Sequence, residues 1–193
     1  MVNMKKISII ALTILTLGMT SCDMDKMPYD AIPTEEALTT IVGFEEARAG
    51  IYSVYLGLTG GSYVLAPEVQ ADAFNAVADF SNKYGELHRW TFESTNSTVE
   101  TIWANCYAAI GRANFFIDGV GKIDENPEIE LTEIQKQQIN VYEGEAYFTR
   151  AYCYFYLATL FCRDYDVATA ANTPGLPLQV KYEPQLAATQ YPG

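Results

Sequence analysis

Apolar residues recur along this chain at intervals of three and four, the period of an amphipathic helix. Phe44, Ala47, Ile51, Val54 and Leu58 form one such stripe and predict a helix over 44–58, closed by Gly57, Gly60 and Gly61. Val99, Ile102, Trp103, Cys106, Ile110, Ala113 and Ile117 predict the buried face of a second helix over 98–117. Ser97 and Glu100 have capping-box spacing before it, and Gly119 and Gly121 follow it. A third helix, over 133–162, starts behind another such pair, Thr132 and Gln135.

The third helix changes character along its length. Gln135, Lys136, Gln137 and Gln138 give its first half a polar face. Its second half is apolar nearly all round, with stripes Val141–Phe148–Phe155–Cys162, Tyr147–Ala151–Tyr154–Ala158–Phe161 and Tyr142–Ala146–Cys153–Tyr156–Leu160. Such a helix must be covered on every side, so it should lie central in a helical layer or face a further part of the protein. A short helix is expected over 68–80, and 84–97 reads as loop. Beyond Arg163 the chain turns irregular, broken by Pro174, Gly175, Pro177 and Pro184. The fold class is therefore mainly all-α.

The N-terminus follows a different pattern. Lys5 and Lys6 precede an uncharged run over 7–19, too short for a spanning helix of about twenty residues but of signal-peptide length. Thr20 and Ser21 then lead to Cys22, as in a lipobox. Residues 1–21 read as a lipoprotein signal peptide and Cys22 as the acylated first residue, its palmitate-like chains holding the protein to a membrane. Residues 22–41 read as a tether, and 42–193 as one helical domain.

Charge narrows the partners. The chain carries −12, and loss of the two leader lysines takes this to −14. So acidic a surface disfavours nucleic acid, whose binding rests on phosphate neutralisation. Fourteen Tyr, nine Phe and two Trp suffice for a core with some left for a surface. Cys106, Cys153 and Cys162 imply no closed disulfide framework. Within one helix Cys153 and Cys162 lie about 13.5 Å apart, too far to bridge.

The third helix reads Gly144-Glu145-Ala146-Tyr147-Phe148-Thr149-Arg150-Ala151-Tyr152 and leads to Gly175-Leu176-Pro177-Leu178. Trp103, Tyr107, Ile110, Ala113 and Asn114 precede it, as do Gly50-Ile51-Tyr52 and Asp72. This ordered set resembles the SusD/RagB family of surface lipoproteins. The resemblance implies tetratricopeptide-like helix pairs with irregular connecting loops, and marks the chain as the N-terminal portion of a longer protein. It implies binding without catalysis: an oligosaccharide, or in some branches a peptide, captured at the outer-membrane surface and passed to a SusC-like TonB-dependent transporter. The alternative is a helical-repeat lipoprotein that scaffolds the envelope and takes no nutrient.

The residues themselves offer no catalytic constellation, so no enzyme and no cofactor are expected. Glu143 and Glu145, two apart on a helix, point apart. Glu145 and Arg150 suit interhelical hydrogen bonds. His88, the single histidine, has no metal-ligand partner at suitable spacing. Asp124, Glu125, Glu128 and Glu130 form a solvated loop or, less simply, a calcium site. The stretch that suits sugar is 84–92: Trp90 and Tyr84 offer ring faces, while Arg89, His88 and Asn96 offer hydrogen bonds. The other reading is that Trp90 and Phe92 anchor this loop to the core. Trp103, on a helix stripe, reads as core.

Overall fold

The computed structural model describes residues 36–77 and 82–183. The leader, Cys22, most of the tether and the last ten residues lie outside them. Helix α1, Ile41–Leu58, begins three residues before its first predicted position, because Thr40 caps it: the Thr40 hydroxyl accepts from the Gly43 amide at 3.2 Å. Phe44, Ile51 and Leu58, seven apart, are its buried residues.

Helix α2, Ser62–Gln70, corrects the expectation of a helix over 68–80. Gly61 starts it at φ 58°, a left-handed conformation that glycine adopts freely. Pro67 lies inside α2 and has no amide to give the Tyr63 carbonyl one turn back. The Tyr156 hydroxyl donates to that carbonyl instead. The helix then stops in a Schellman motif with Asp72 left-handed at φ 59°: Ala73 N donates to Glu68 O and Asp72 N to Val69 O. Of the expected span, 78–80 lies outside the described residues. A single turn, α3, Gly85–His88, occupies part of the expected loop 84–97.

Helix α4, Ser97–Gly121, is capped by Asn96 and not by the Ser97–Glu100 pair. It also runs through Gly119, which the spacing assigned to the stop. A Cβ there would sit 2.2 Å from Leu38 Cδ1, so Gly119 serves close packing. Helix α5, Glu133–Phe161, has the expected Thr132–Gln135 capping box. A 3-10 turn, Ala170–Asn172, follows.

The pairings fix helix directions. Phe44 meets Phe116 edge-on at 5.5 Å, and the Arg112 guanidinium reaches Gly50 O at 2.8 Å, so α1 and α4 run antiparallel. Trp103 meets Phe161 at 5.0 Å, Tyr107 meets Tyr154 at 6.3 Å and Arg150 bonds Asn114, so α4 and α5 are antiparallel too. Arg48 donates to both Glu145 carboxylate oxygens, at 2.5 and 2.9 Å, joining α1 to the parallel α5. Glu145 and Arg150 thus make the interhelical bonds expected of them.

Among the described residues, helix α5 is not covered on every side. Ile139, Ala146, Thr149, Cys153 and Leu157 face the core. The stripe Val141, Phe148 and Phe155 is 63, 59 and 70% exposed. Trp103 is only half-buried, against an expected core place.

Where α1, α2, α4 and α5 meet are groups that favour their neutral forms. Burial holds the hydroxyls of Tyr63, Tyr152, Tyr154 and Tyr156 above the ordinary tyrosine value of 10.0. Hydrogen bonding to Cys106, together with burial, holds the Cys153 thiol above its ordinary 9.0. Each folded-state value is raised, so its stabilisation is complete below the unfolded value and is lost as pH rises past it. We expect the urea midpoint to be flat up to about pH 9 and to fall steeply above about pH 10. A midpoint independent of pH across that range would contradict the burial of these rings.

Candidate functional site

The stretch 82–96 hangs between the end of α2 and the start of α4, and most of its polar groups are tied down. Tyr84, left-handed at φ 61°, leads into α3, and its hydroxyl lies 2.9 Å from Ser62 Oγ. The Lys83 ammonium sits over its ring at 5.1 Å. His88 Nδ1 lies 3.2 Å from Val69 O and 3.6 Å from the Asp72 carboxylate. Arg89 donates to Asn82 Oδ1 at a long 3.4 Å. Asn96 is doubly engaged: Oδ1 caps α4 through the Thr98 and Val99 amides, and Nδ2 donates to Glu86 Oε2 at 2.9 Å.

Trp90 shares the left-handed backbone of Asp72, Asn82 and Tyr84 and differs from Tyr84 in the exposure of its ring. It occupies the C′ position of a second Schellman motif, with Thr91 N donating to Glu86 O and Trp90 N to Leu87 O. That position demands a left-handed backbone, here φ 55°, and glycine is its usual occupant. A bulky residue there costs about 1–2 kcal/mol. The ring is nonetheless 65% exposed, so burial does not offset that cost. The indole N–H donates to Gln70 O at 3.2 Å, and the ring lies 6.1 Å from Phe92. Strained residues of this kind concentrate at binding sites.

Gln70 and Phe92, which touch Trp90, also line a cavity of about 1320 Å³. It runs along α4 past Trp103, Tyr107 and Phe115 to the chain beyond Pro177. Trp90 adjoins this cavity only through Gln70 and Phe92; none of Trp90, Tyr84, His88, Arg89 and Asn96 is itself among its lining residues.

The far wall is a segment without regular secondary structure, 177–182. Side chains satisfy its backbone. Tyr107 donates to Pro177 O at 2.9 Å, and Asn114 Nδ2 donates to Gln179 O at 3.0 Å and Lys181 O at 3.1 Å. Arg150 donates to Asn114 Oδ1 at 2.8 Å and to Val180 O at 3.3 Å. The Tyr154 hydroxyl bonds Gln179 O, and Asp118 accepts from the Tyr182 amide at 2.7 Å. Asn114 is fully buried. The sequence held one signal of this clasp, a polar Asn114 within an apolar helix face.

Among the described residues, no group of three or more His, Cys, Asp or Glu is placed to hold a metal ion. None of their helices is long and apolar enough to cross a membrane.

A family model for SusD-like proteins, described as starch-binding associating with outer membrane, matches residues 25–189. This chain belongs to that family. It is 25% identical over 202 residues to SusD-like protein P2 of Formosa agariphila, a match covering 97% of this chain and 37% of that relative. The chain thus spans well under half the length of this relative. No solved structure matches it. The all-α architecture, with antiparallel helix pairs α1/α4 and α4/α5, is consistent with the SusD-like fold.

Proposed function

We propose that this chain is part of a cell-surface lipoprotein that binds an oligosaccharide and passes it to a SusC-like TonB-dependent transporter. Acyl chains on Cys22 would tether it to the outer membrane with the helical domain outward. The observation that carries the ligand reading is Trp90: a flat ring, exposed, fixed by its indole N–H, and held in a backbone conformation that tryptophan adopts only at a cost. A pyranose stacks its C–H face on such a ring while its hydroxyls take hydrogen bonds from polar neighbours. His88, Arg89, Tyr84 and Asn96 lie on the same loop, but each is already bonded within the protein and would reach a ligand only by sharing or exchanging that bond. Phe92 and Gln70 extend the platform into the cavity along α4.

The description of the matching family supports starch-like ligands first. Calorimetric titration of the full chain in detergent with α-glucan oligosaccharides, other glycans and peptides tests the reading. We expect saturable binding of at least one oligosaccharide class. Failure of every glycan and peptide to bind, with other envelope proteins still captured, would favour a scaffold.

A further inference from the structure

Cys106 of α4 and Cys153 of α5 meet inside the protein. Both are fully buried, in one apolar cluster. The residues that follow them, Tyr107 and Tyr154, face each other across the same helix pair at 6.3 Å. The two thiols hydrogen-bond each other. Ala109 of α4 and Ala146 of α5 are buried as well, and such small residues let helix axes come close. Cys162 stands apart from the pair, half-buried at the C-terminal cap of α5. Nothing beyond α4 and α5 is needed to bring Cys106 and Cys153 together.

We propose that Cys106 and Cys153 close into a disulfide that staples α4 to α5 while the chain folds, and that Cys162 stays a free thiol. A disulfide asks for Cβ atoms about 3.8 Å apart. Thiols in hydrogen-bond contact on facing helices reach that geometry by a small approach. The staple would join the two helices at the residues beside Tyr107 and Tyr154, whose hydroxyls hold the segment 177–182.

The bond forms by exchange with a donor disulfide. The thiolate of one cysteine attacks a donor sulfur and expels one donor thiolate. The thiolate of the other then attacks the protein sulfur of this mixed disulfide, which makes the Cys106–Cys153 bond and expels the second donor thiolate. The protein gives up two protons and two electrons, and the donor leaves as two thiols.

Burial sets the timing. Only the thiolate attacks, and in the folded chain Cys153 is closed off from solvent and held as the thiol. Exchange is therefore confined to the stage before α4 and α5 close, and the finished bond is shielded from reductants. Disulfide donors act along the export route. Formation of the bond in the cell thus rests on the leader before Cys22, while its formation in solution does not.

Refolding the full chain from urea in mild detergent, with a glutathione redox buffer or with a reductant alone, tests the pair. Remaining thiols are blocked with a maleimide and the tryptic peptides weighed. We expect peptide 90–112 joined to peptide 151–163 in the wild type and in Cys162→Ser, and not in Cys153→Ser. The oxidised chain closes a loop of about 48 residues and should melt roughly 8–16 °C above the reduced one. The folded reduced chain should form the bond far more slowly than the unfolded chain. Free thiols at Cys106 and Cys153 after refolding with glutathione would overturn the proposal. So would loss of the joined peptides in Cys162→Ser, or an oxidised chain that melts no higher than the reduced one.

Discussion

Asn114→Ala is expected to destabilise the protein by about 3 kcal/mol and to free the segment 177–182. Asn114 is fully buried and bonds the Gln179 and Lys181 carbonyls and the Arg150 guanidinium. Truncation leaves all three without that partner, at about 1–3 kcal/mol for each group that water cannot reach. The segment is mostly exposed, so water recovers part of the loss, and the total stays near the lower end of the sum. In a domain of this size about 3 kcal/mol lowers Tm by roughly 6–12 °C. A readout specific to the clasp accompanies the shift. Trypsin should cut after Lys181 much faster in the variant, because the segment loses its ties to α4. Unchanged melting together with unchanged cleavage at Lys181 would show that Asn114 does not hold the segment.

Trp90→Gly should separate stability from binding. Glycine relieves the left-handed strain, worth about 1–2 kcal/mol. The same change removes an exposed indole hydrogen bond, worth about 0.5–1 kcal/mol, and a ring contact with Phe92 of similar size. These effects nearly cancel, so stability should stay within about 1 kcal/mol of wild type. Binding should fall much further. Loss of a central tryptophan platform costs about 2 kcal/mol, or roughly thirty-fold in Kd. A large loss of stability would mean that Trp90 anchors its loop, the other role its sequence position allowed.

Much of the helical framework was legible because long apolar stripes leave few alternatives. The capping box at Thr132 and the 29-residue length of α5 follow directly from residues that sit beside one another. Short elements were less legible. The true span of α2 depends on Gly61, on Asp72 in a left-handed turn, and on the Tyr156 hydroxyl that satisfies the carbonyl stranded by Pro67. That hydroxyl comes from a residue 93 positions away, so no local pattern announces it. Asn96 and Ser97 are both good caps, and only the backbone decides between them.

The candidate site divides in the same way. The exposed aromatic at Trp90 could be anticipated from a loop rich in rings and polar groups. The cavity wall could not, since it joins α4 to a segment more than sixty residues later through Asn114. Trp103 lay on a helix stripe and read as core, yet its position on that stripe puts it at the cavity edge.

The central claim is that an oligosaccharide sits on Trp90. The chain has two tryptophans, so fluorescence titration of Trp90→Phe and Trp103→Phe variants isolates each ring in turn. With a bound α-glucan oligosaccharide, Trp103→Phe should keep the saturable change in emission and Trp90→Phe should lose it. Retention of the change in Trp90→Phe, with its loss in Trp103→Phe, would place the ligand in the cavity beside Trp103 and contradict the account.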